Sequence, residues 1–350
     1  MRSRLAGIVV AALLGVCLAP AAALAAADFH GKQIAVIVGS EPGGGTDASA
    51  RLIAPYFEKY LPGNPTLVVR NMPGAQGVTA LNFVVQQTRP DGLTLVVGAN
   101  VQLSPLTYRH ANGAYDPKTL LYIGGLGRGG TMLLIRREGE KRLTDPSAPP
   151  LFFGLSDGSR SSELVGFWGM EYLGWNLKPV SGYRGTGDVM IALERGEVDL
   201  ATTANMFQLG KLLDTGRFRV LAQSGTLLGG SFAPRPEFET VPVVASLLEG
   251  KIGDSVARQA FAYWQSIGAL DKWLGLAEGT DAAVLAAYRA AFDKIAADPD
   301  FLEHGHKISE DLAPMDHKDV ELLVGDLAGT TEAAERYLKE LQRKHGLDVH

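Results

Sequence analysis

The chain has 350 residues, 46% of them hydrophobic and 20% charged, with a formal net charge of −5. That length supports a substantial core and a prior of about two domains, and the acidic balance makes nucleic acid a poor partner. The one cysteine, Cys17, leaves no material for a disulfide framework or a cysteine-ligated zinc site.

The chain opens on Arg2 and Arg4, continues as an uncharged apolar run from Leu5 to Leu18, and reaches Ala23-Leu24-Ala25. This is the order of a secretory signal with an A-x-A cleavage site. Residues 1–25 are therefore expected to be a signal peptide that directs the chain to the periplasm, with the mature protein starting near Ala26. The apolar run falls short of the ~20 residues of a spanning helix, so no anchor is expected after cleavage. Val16 precedes Cys17 where a lipoprotein signal wants a small residue, which argues against lipidation. A mature chain without cysteine suits an oxidising compartment.

Strands and helices then alternate. A β-rich run over 34–38 leads into Pro42-Gly43-Gly44-Gly45-Thr46-Asp47, and Leu52, Ile53, Tyr56, Phe57, Tyr60 and Leu61 follow at helical spacing. Pro55 is expected to kink that helix. A strand over 67–69, a second glycine loop at Asn71-Met72-Pro73-Gly74-Ala75-Gln76-Gly77, a helix over 78–87 and a strand over 93–97 continue the pattern. Such alternation predicts a parallel, helix-covered sheet. The second unit has a strand over 151–155, a polar loop from Ser156 to Ser161 and a helix capped by Ser162. It goes on with a strand over 177–180, the loop Gly182-Tyr183-Arg184-Gly185-Thr186-Gly187, a helix over 188–195 and a strand over 198–202. A helix over 206–214 and a strand over 219–222 complete it. The tail reads as largely helical, with Thr280, Asp316 and Thr331 as the caps of three helices.

In a parallel sheet, the turn from a strand's carboxyl end into a helix presents unpaired N–H groups and the positive end of a helix dipole. Such a turn is an anion site made of main chain. Glycine lets the backbone approach a ligand closely, which suits Gly43 to Gly45, Gly74 and Gly77 to that task. A single loop of this kind is more often only a turn. Four of them at equivalent strand ends point to a binding edge.

These stretches, with Asp91-Gly92-Leu93-Thr94-Leu95, Tyr183-Arg184-Gly185-Thr186-Gly187 and Gly196-Glu197-Val198-Asp199, resemble the Bug family, the solute-binding proteins of tripartite tricarboxylate transporters. The resemblance covers most of residues 33–224 and extends more weakly to Leu276-Ala277-Glu278-Gly279-Thr280. It implies an α/β, type II periplasmic binding protein fold: two α/β lobes, a hinge and an inter-lobe ligand cleft. Lobe 1 would be residues 26–129 plus 226–350, and lobe 2 residues 130–225. It further implies that Gly43, Gly44, Thr46 and Asp47, with Ala75 and Gln76, grip a carboxylate through backbone amides. Ser156, Gly158 and Ser159 would contribute from the second lobe, faced by Tyr183 and Thr186. Asn100 and Asn205 complete the candidate ligand set. The expected function is capture of a small carboxylate-bearing organic solute for membrane transporter subunits, by a monomer with no cofactor, no metal site and no enzymatic activity.

The chain departs from the family at Ser40 and Glu41, where an aromatic and a small residue usually precede the first Pro-Gly-Gly. A carboxylate there would repel a second carboxylate on the ligand by about 1 kcal/mol at 4 Å in water. Arg128, in Gly127-Arg128-Gly129, sits near the expected lobe crossing as a counter-charge for an anion. Two enzyme patterns compete. Gly154-Leu155-Ser156-Asp157-Gly158 is a literal G-x-S-x-G, which would make Ser156 the nucleophile of a secreted α/β hydrolase with His304, His306 or His317 as base. Gly125-Leu126-Gly127-Arg128-Gly129-Gly130 matches a dinucleotide fingerprint, but a strand is predicted after it where a helix is required. His304 and His306 would share a metal only on a strand, and a helix end is predicted there. A periplasmic sensor that reports to a membrane kinase is a third alternative. Trp168, Trp175, Trp264 and Trp273 read as core.

Overall fold

The structure is a computed structural model and describes residues 27–156, 161–309 and 311–347. In chain order the first unit runs β1 (Gln33–Val38), α1 (Gly45–Tyr60), β2 (Thr66–Asn71), α2 (Val78–Gln87), β3 (Thr94–Ala99), α3 (Pro105–His110) and β4 (Leu121–Arg128). The second runs β5 (Met132–Arg136), β6 (Leu151–Gly154), α4 (Leu164–Leu173), β7 (Leu177–Val180), α5 (Thr186–Arg195), β8 (Leu200–Thr203), α6 (Met206–Asp214) and β9 (Phe218–Gln223). A hairpin of β10 (Thr226–Leu228) and β11 (Ser231–Ala233) follows, then α7 (Val244–Leu248), α8 (Ser255–Ala269) and β12 (Leu270–Leu276). The chain continues with α9 (Ala282–Ala296), α10 (Pro299–Ile308), β13 (Leu312–Asp316), α11 (His317–Gly329) and α12 (Glu332–Lys344).

Two mixed sheets organise these elements, one in the order β13-β4-β12-β3-β1-β2 and the other β7-β6-β8-β5-β9. β1, β2 and β3 are parallel, as the alternation predicts. The purely parallel sheet is corrected by β12, which inserts antiparallel between β3 and β4. It does so because α8 delivers the chain to the loop-bearing edge of the first sheet, so the next strand must run back from that edge. In the second sheet β5 is likewise antiparallel to β8 and β9.

The chain after Thr226 divides between the two sheets. β12, α9, α10, β13 and α11 return to the first, where Leu274, Tyr288, Phe292 and Phe301 join the core around Val36 and Phe57. α7, α8 and α12 instead pack into the core of the second, where Val244, Trp264 and Leu338 meet Phe153 and Trp168. Chain order alone would assign all of 226–350 to the first lobe. An aromatic cluster explains the split: fully buried Trp168 lies 5.0 Å from Phe261, 6.1 Å from Trp264 and 6.0 Å from Tyr337, ring centre to ring centre. Burying rings of this size from three helices outweighs continuity along the chain.

Local rules hold elsewhere. Pro55 sits inside α1 on its exposed face, flanked by buried Ile53, Ala54, Tyr56 and Phe57 that hold the helix to the core through the missing bond. Asp316 and Thr331 cap α11 and α12, accepting from Asp319 N–H and Ala334 N–H. The cap of α9 is Asp281, because Thr280 turns its hydroxyl back to the Ala277 carbonyl. α4 starts from Glu163 after a single 3₁₀ turn over Ser161–Glu163, one residue later than a Ser162 cap would place it. All four tryptophans are buried.

Candidate ligand-binding cleft

The strand directions fix where the loops meet. β1, β2 and β3 end at one edge of the first sheet, and β4 ends there too, since Leu270 at the start of β12 pairs with Gly127. Residues 129–131 then carry the chain into β5, whose first residue, Met132, pairs with Thr203 at the end of β8. β6, β7 and β8 are parallel, so they all end at that edge of the second sheet. The loops of both sheets therefore face a common crossing. Thr131 N–H donates to Ser224 Oγ at 2.8 Å and Ser224 N–H to the Thr131 carbonyl at 2.9 Å, binding the first crossing to the second at Ser224 and Gly225.

The first glycine loop turns directly into α1. The first main-chain bond of that helix is Ala48 N–H to the Gly44 carbonyl, 2.9 Å, which leaves the N–H groups of Gly45 and Thr46 at the open end. Asp47 staples the loop: its Oδ2 accepts from Gly43 N–H at 2.8 Å and Arg51 Nε at 2.9 Å, and its Oδ1 accepts from Asn71 Nδ2 at 2.9 Å. These donors hold the Asp47 carboxyl at about 2, against the pull of burial; the Arg51 bond is the largest cause. The Asp47 side chain is thus buried and committed to the scaffold, and Arg51 offsets its charge so that the helix end keeps its positive character. Asn71 also donates to the Ser40 carbonyl at 3.0 Å, fastening the ends of β1 and β2 together. Ser40 Oγ, beside Gly44, is buried without a hydrogen-bond partner. Glu41 is exposed, and its carbonyl accepts from Gly44 N–H at 3.2 Å.

The second loop is held in an unusual backbone. Gly74, Ala75, Gln76 and Gly77 all have positive φ, at 132°, 47°, 55° and 91°. For Ala75 and Gln76 such a conformation costs on the order of 1–3 kcal/mol each and persists only where the surroundings enforce it. Gln102 enforces it. Nearly fully buried, it accepts from Ala99 N–H through Oε1 at 2.8 Å, and its Nε2 would lie 1.8 Å from a Cβ on Gly77 and 2.6 Å from one on Gly39. One amide therefore packs against the ends of β1 and β3 and the start of α2, which only glycine backbones permit. Trp273 closes the underside, donating to the Ala99 carbonyl at 3.0 Å.

Elsewhere the structure brings some candidates together and separates others. Arg128, at the end of β4, and Asn205, the cap of α6, line one cavity of about 600 Å³ between the sheets, with His306, Lys307, Ser309 and Asp311. Arg128 also borders a smaller cavity of about 140 Å³ with Gly45 and Ser49 of α1 and the neighbours Asp271 and Lys272. Its guanidinium lies 3.5 Å from Asp271. Asn205 Oδ1 accepts from Gln208 N–H at 2.8 Å, a capping bond. Asn100 donates to the Ile267 carbonyl at 2.7 Å and ties β3 to α8. Ser156 is buried, and Glu163 Oε1 accepts from both its N–H (2.7 Å) and its hydroxyl (2.8 Å). Gly182 N–H donates to the Ser156 carbonyl at 2.8 Å, which places the Tyr183 loop beside it. Tyr183 is half-buried, burial raising its phenol, and Thr186 opens α5. Gly158 and Ser159 lie outside the described residues.

The enzyme patterns find these contexts. Ser156 has a carboxylate, Glu163, on its hydroxyl, while His304, His306 and His317 sit on α10 and α11 around the first sheet. Gly125 and Gly127 lie inside β4, and a strand follows them, so no helix N-terminus is there for a dinucleotide. Among the described residues no group of three potential metal ligands forms, and no helix is long and apolar enough to cross a membrane. The residues that sequence reading missed are Arg51, Asn71 and Gln102. The spacing of Asp47 and Arg51 at i, i+4 was a readable signal; the Gln102 contacts span two strand ends and a helix start and were not.

Comparison with known proteins agrees with this architecture. The profile of the TctC family, described as the tripartite tricarboxylate transporter family receptor, matches residues 50–245. A UPF0065 protein of Bordetella pertussis is 30% identical over 247 residues, covering 67% of this chain and 73% of that protein. Another, from Agrobacterium vitis, is 28% identical over 201 residues, 55% of this chain and 56% of its own. The crystal structure of a TctC solute-binding protein from Polaromonas superposes with a TM-score of 0.63 over 89% of this chain and 98% of that one, at 18% identity, and shows the shared two-lobed α/β fold. The chain is a member of the tripartite tricarboxylate transporter receptor family, whose members are periplasmic solute-binding proteins.

Proposed function

We propose that the chain captures a small organic carboxylate between its two sheets and delivers it to the membrane subunits of a tripartite transporter. The observation that carries this reading is the pair of neighbouring loops at the edge of the first sheet. Both open a helix, both leave N–H groups ahead of the first helical bond, and both are braced by Asp47, Asn71 and Gln102. Donors fixed in advance suit an anion, because binding then costs little reorganisation. The unpartnered Ser40 hydroxyl beside Gly44 adds a donor. Asp47 serves the loop's shape together with Gly43 and Gly44, whose N–H groups donate to Asp47 and to the Glu41 carbonyl, and contact with the ligand falls to the N–H groups of Gly45, Thr46, Ala75 and Gln76. Ser156, Tyr183, Thr186 and Asn205 form the opposing edge, and Arg128 at the crossing supplies positive charge.

In this reading the units, which residues 129–131, 224–225, 269–270 and 330–331 connect among others, close as lobes, and residues 1–25 are the export signal removed in the periplasm. Ser156 is structural and the protein is not an enzyme. A thermal-shift screen of the refolded mature chain tests the function, with mono-, di- and aromatic carboxylates set against amides and amines. A ligand at 100 times its Kd stabilises by about 2.7 kcal/mol. A carboxylate hit is expected. A response confined to amides or amines would overturn the carboxylate assignment and turn attention to Glu41.

A further inference from the structure

A third cavity, of about 190 Å³, lies between α3 and α12 and is lined by Pro105, Leu106, Arg109, Glu332 and Glu335. It shares no residue with the cavities at Arg128. A cavity of this size holds a compound of only a few heavy atoms. α3 belongs to the first sheet's unit, whereas α12 packs into the second core, so the cavity also bridges the two units.

Glu335 is the exceptional group. Its side chain is more than nine-tenths buried and its Oε1 has no hydrogen-bond partner, a costly arrangement for a carboxylate. Glu332, one turn earlier on α12, is exposed at the rim, and Arg109 on α3 presents the opposing charge, its guanidinium 5.8 Å from the Tyr108 ring. The lining thus offers acceptors on one wall, a cation on the other and the apolar surfaces of Pro105 and Leu106 between them. The complement of that wall pattern carries an ammonium at one end, a carboxylate at the other and a short apolar link.

We propose that this cavity is a binding site for a short zwitterionic amino acid, with the ammonium held by Glu335 and Glu332 and the carboxylate by Arg109. A charged ammonium requires an ionised Glu335. Burial, the largest cause, and the like charge of Glu332 raise the Glu335 carboxyl to about 7, against the lowering effects of Arg109 and Lys339, with Tyr263 of α8 also close by. Binding therefore strengthens as pH rises through neutrality.

Calorimetric titration of the full mature chain with glycine and β-alanine, each set against methylammonium and acetate, tests the site. The zwitterions are expected to bind at least tenfold more tightly than either half alone, and at least tenfold more tightly at pH 8 than at pH 5.5. Glu335→Gln, which removes a buried charge without changing shape, and Arg109→Gln, at an exposed position, should each weaken binding tenfold or more. Failure of both zwitterions to bind at pH 8, or binding that persists unchanged in both variants, overturns the proposal. The second result would place the amino acid in the inter-sheet cleft, which neither substitution touches.

Discussion

The two edges that face the cleft are built in opposite ways. On the first sheet, side chains reach across to brace main chain: buried Asp47 and half-buried Asn71 fasten the first loop, and buried Gln102 packs against Gly39 and Gly77. On the second, polar side chains are spent on their own segment. Glu163 accepts from Ser156 seven residues away, and Asn205 caps the helix that starts after it. On the first edge the side-chain bonds fix the main chain of the glycine loops themselves, so its backbone donors are held in one geometry; on the second, the bonds of Glu163 and Asn205 hold single turns at a strand end and a helix start.

The sharpest way to break that contrast is Gly77→Ala. A Cβ there would meet Gln102 Nε2 at 1.8 Å, and φ is 91°, so the change should cost about 3 kcal/mol or more in denaturant unfolding and weaken carboxylate binding at the same time. Asp47→Ala strips a buried acceptor from three donors and should cost about 1–3 kcal/mol, with a ligand affinity at least tenfold weaker by calorimetry. Unchanged affinity would mean that the loop keeps its shape without the staple. Ser156→Ala comes next. Its N–H still reaches Glu163, so only about 0.5–1.5 kcal/mol should be lost, and ligand affinity should shift little.

Two pH effects should separate the groups further. Asp47 is held low, at about 2 against an ordinary 3.8, so its contribution is complete above about pH 4 and fades as pH falls toward 2. Asp47→Asn should flatten the acid limb of the melting-temperature profile in that window. Glu335 is raised to about 7 from an ordinary 4.5, mainly by burial. Its protonated form favours the fold below about pH 4.5, and that advantage is lost as pH rises through 7. Glu335→Gln should therefore raise the melting temperature at pH 8 relative to the parent and leave it nearly unchanged at pH 4.5.

Much of the first edge was legible in the sequence, because glycine and proline punctuate loops by local conformational preference. The caps at Asp316 and Thr331 were legible for the same reason, and the cap at Asp281 was displaced by one residue because aspartate outcompeted Thr280 for the first N–H groups. Strand direction was not legible for β12, since it depends on which edge α8 reaches. Nor was the destination of α8 and α12, which the aromatic cluster around Trp168 decides through pairs as distant as Trp168 and Tyr337. Gln102 was hidden for a related reason: a buried glutamine has no local signature, and its meaning lies in the three glycines against it.

In the proposed mode of capture, backbone N–H groups of the first edge grip the ligand carboxylate. The most direct test follows amide ¹H and ¹⁵N shifts while the mature chain is titrated with the best carboxylate from the thermal-shift screen. The largest downfield amide proton shifts are expected at Gly45, Thr46, Ala75 and Gln76, saturating together at one Kd. Saturable shifts confined to other residues, with these four amides unmoved, would overturn the assignment of the grip to backbone N–H groups.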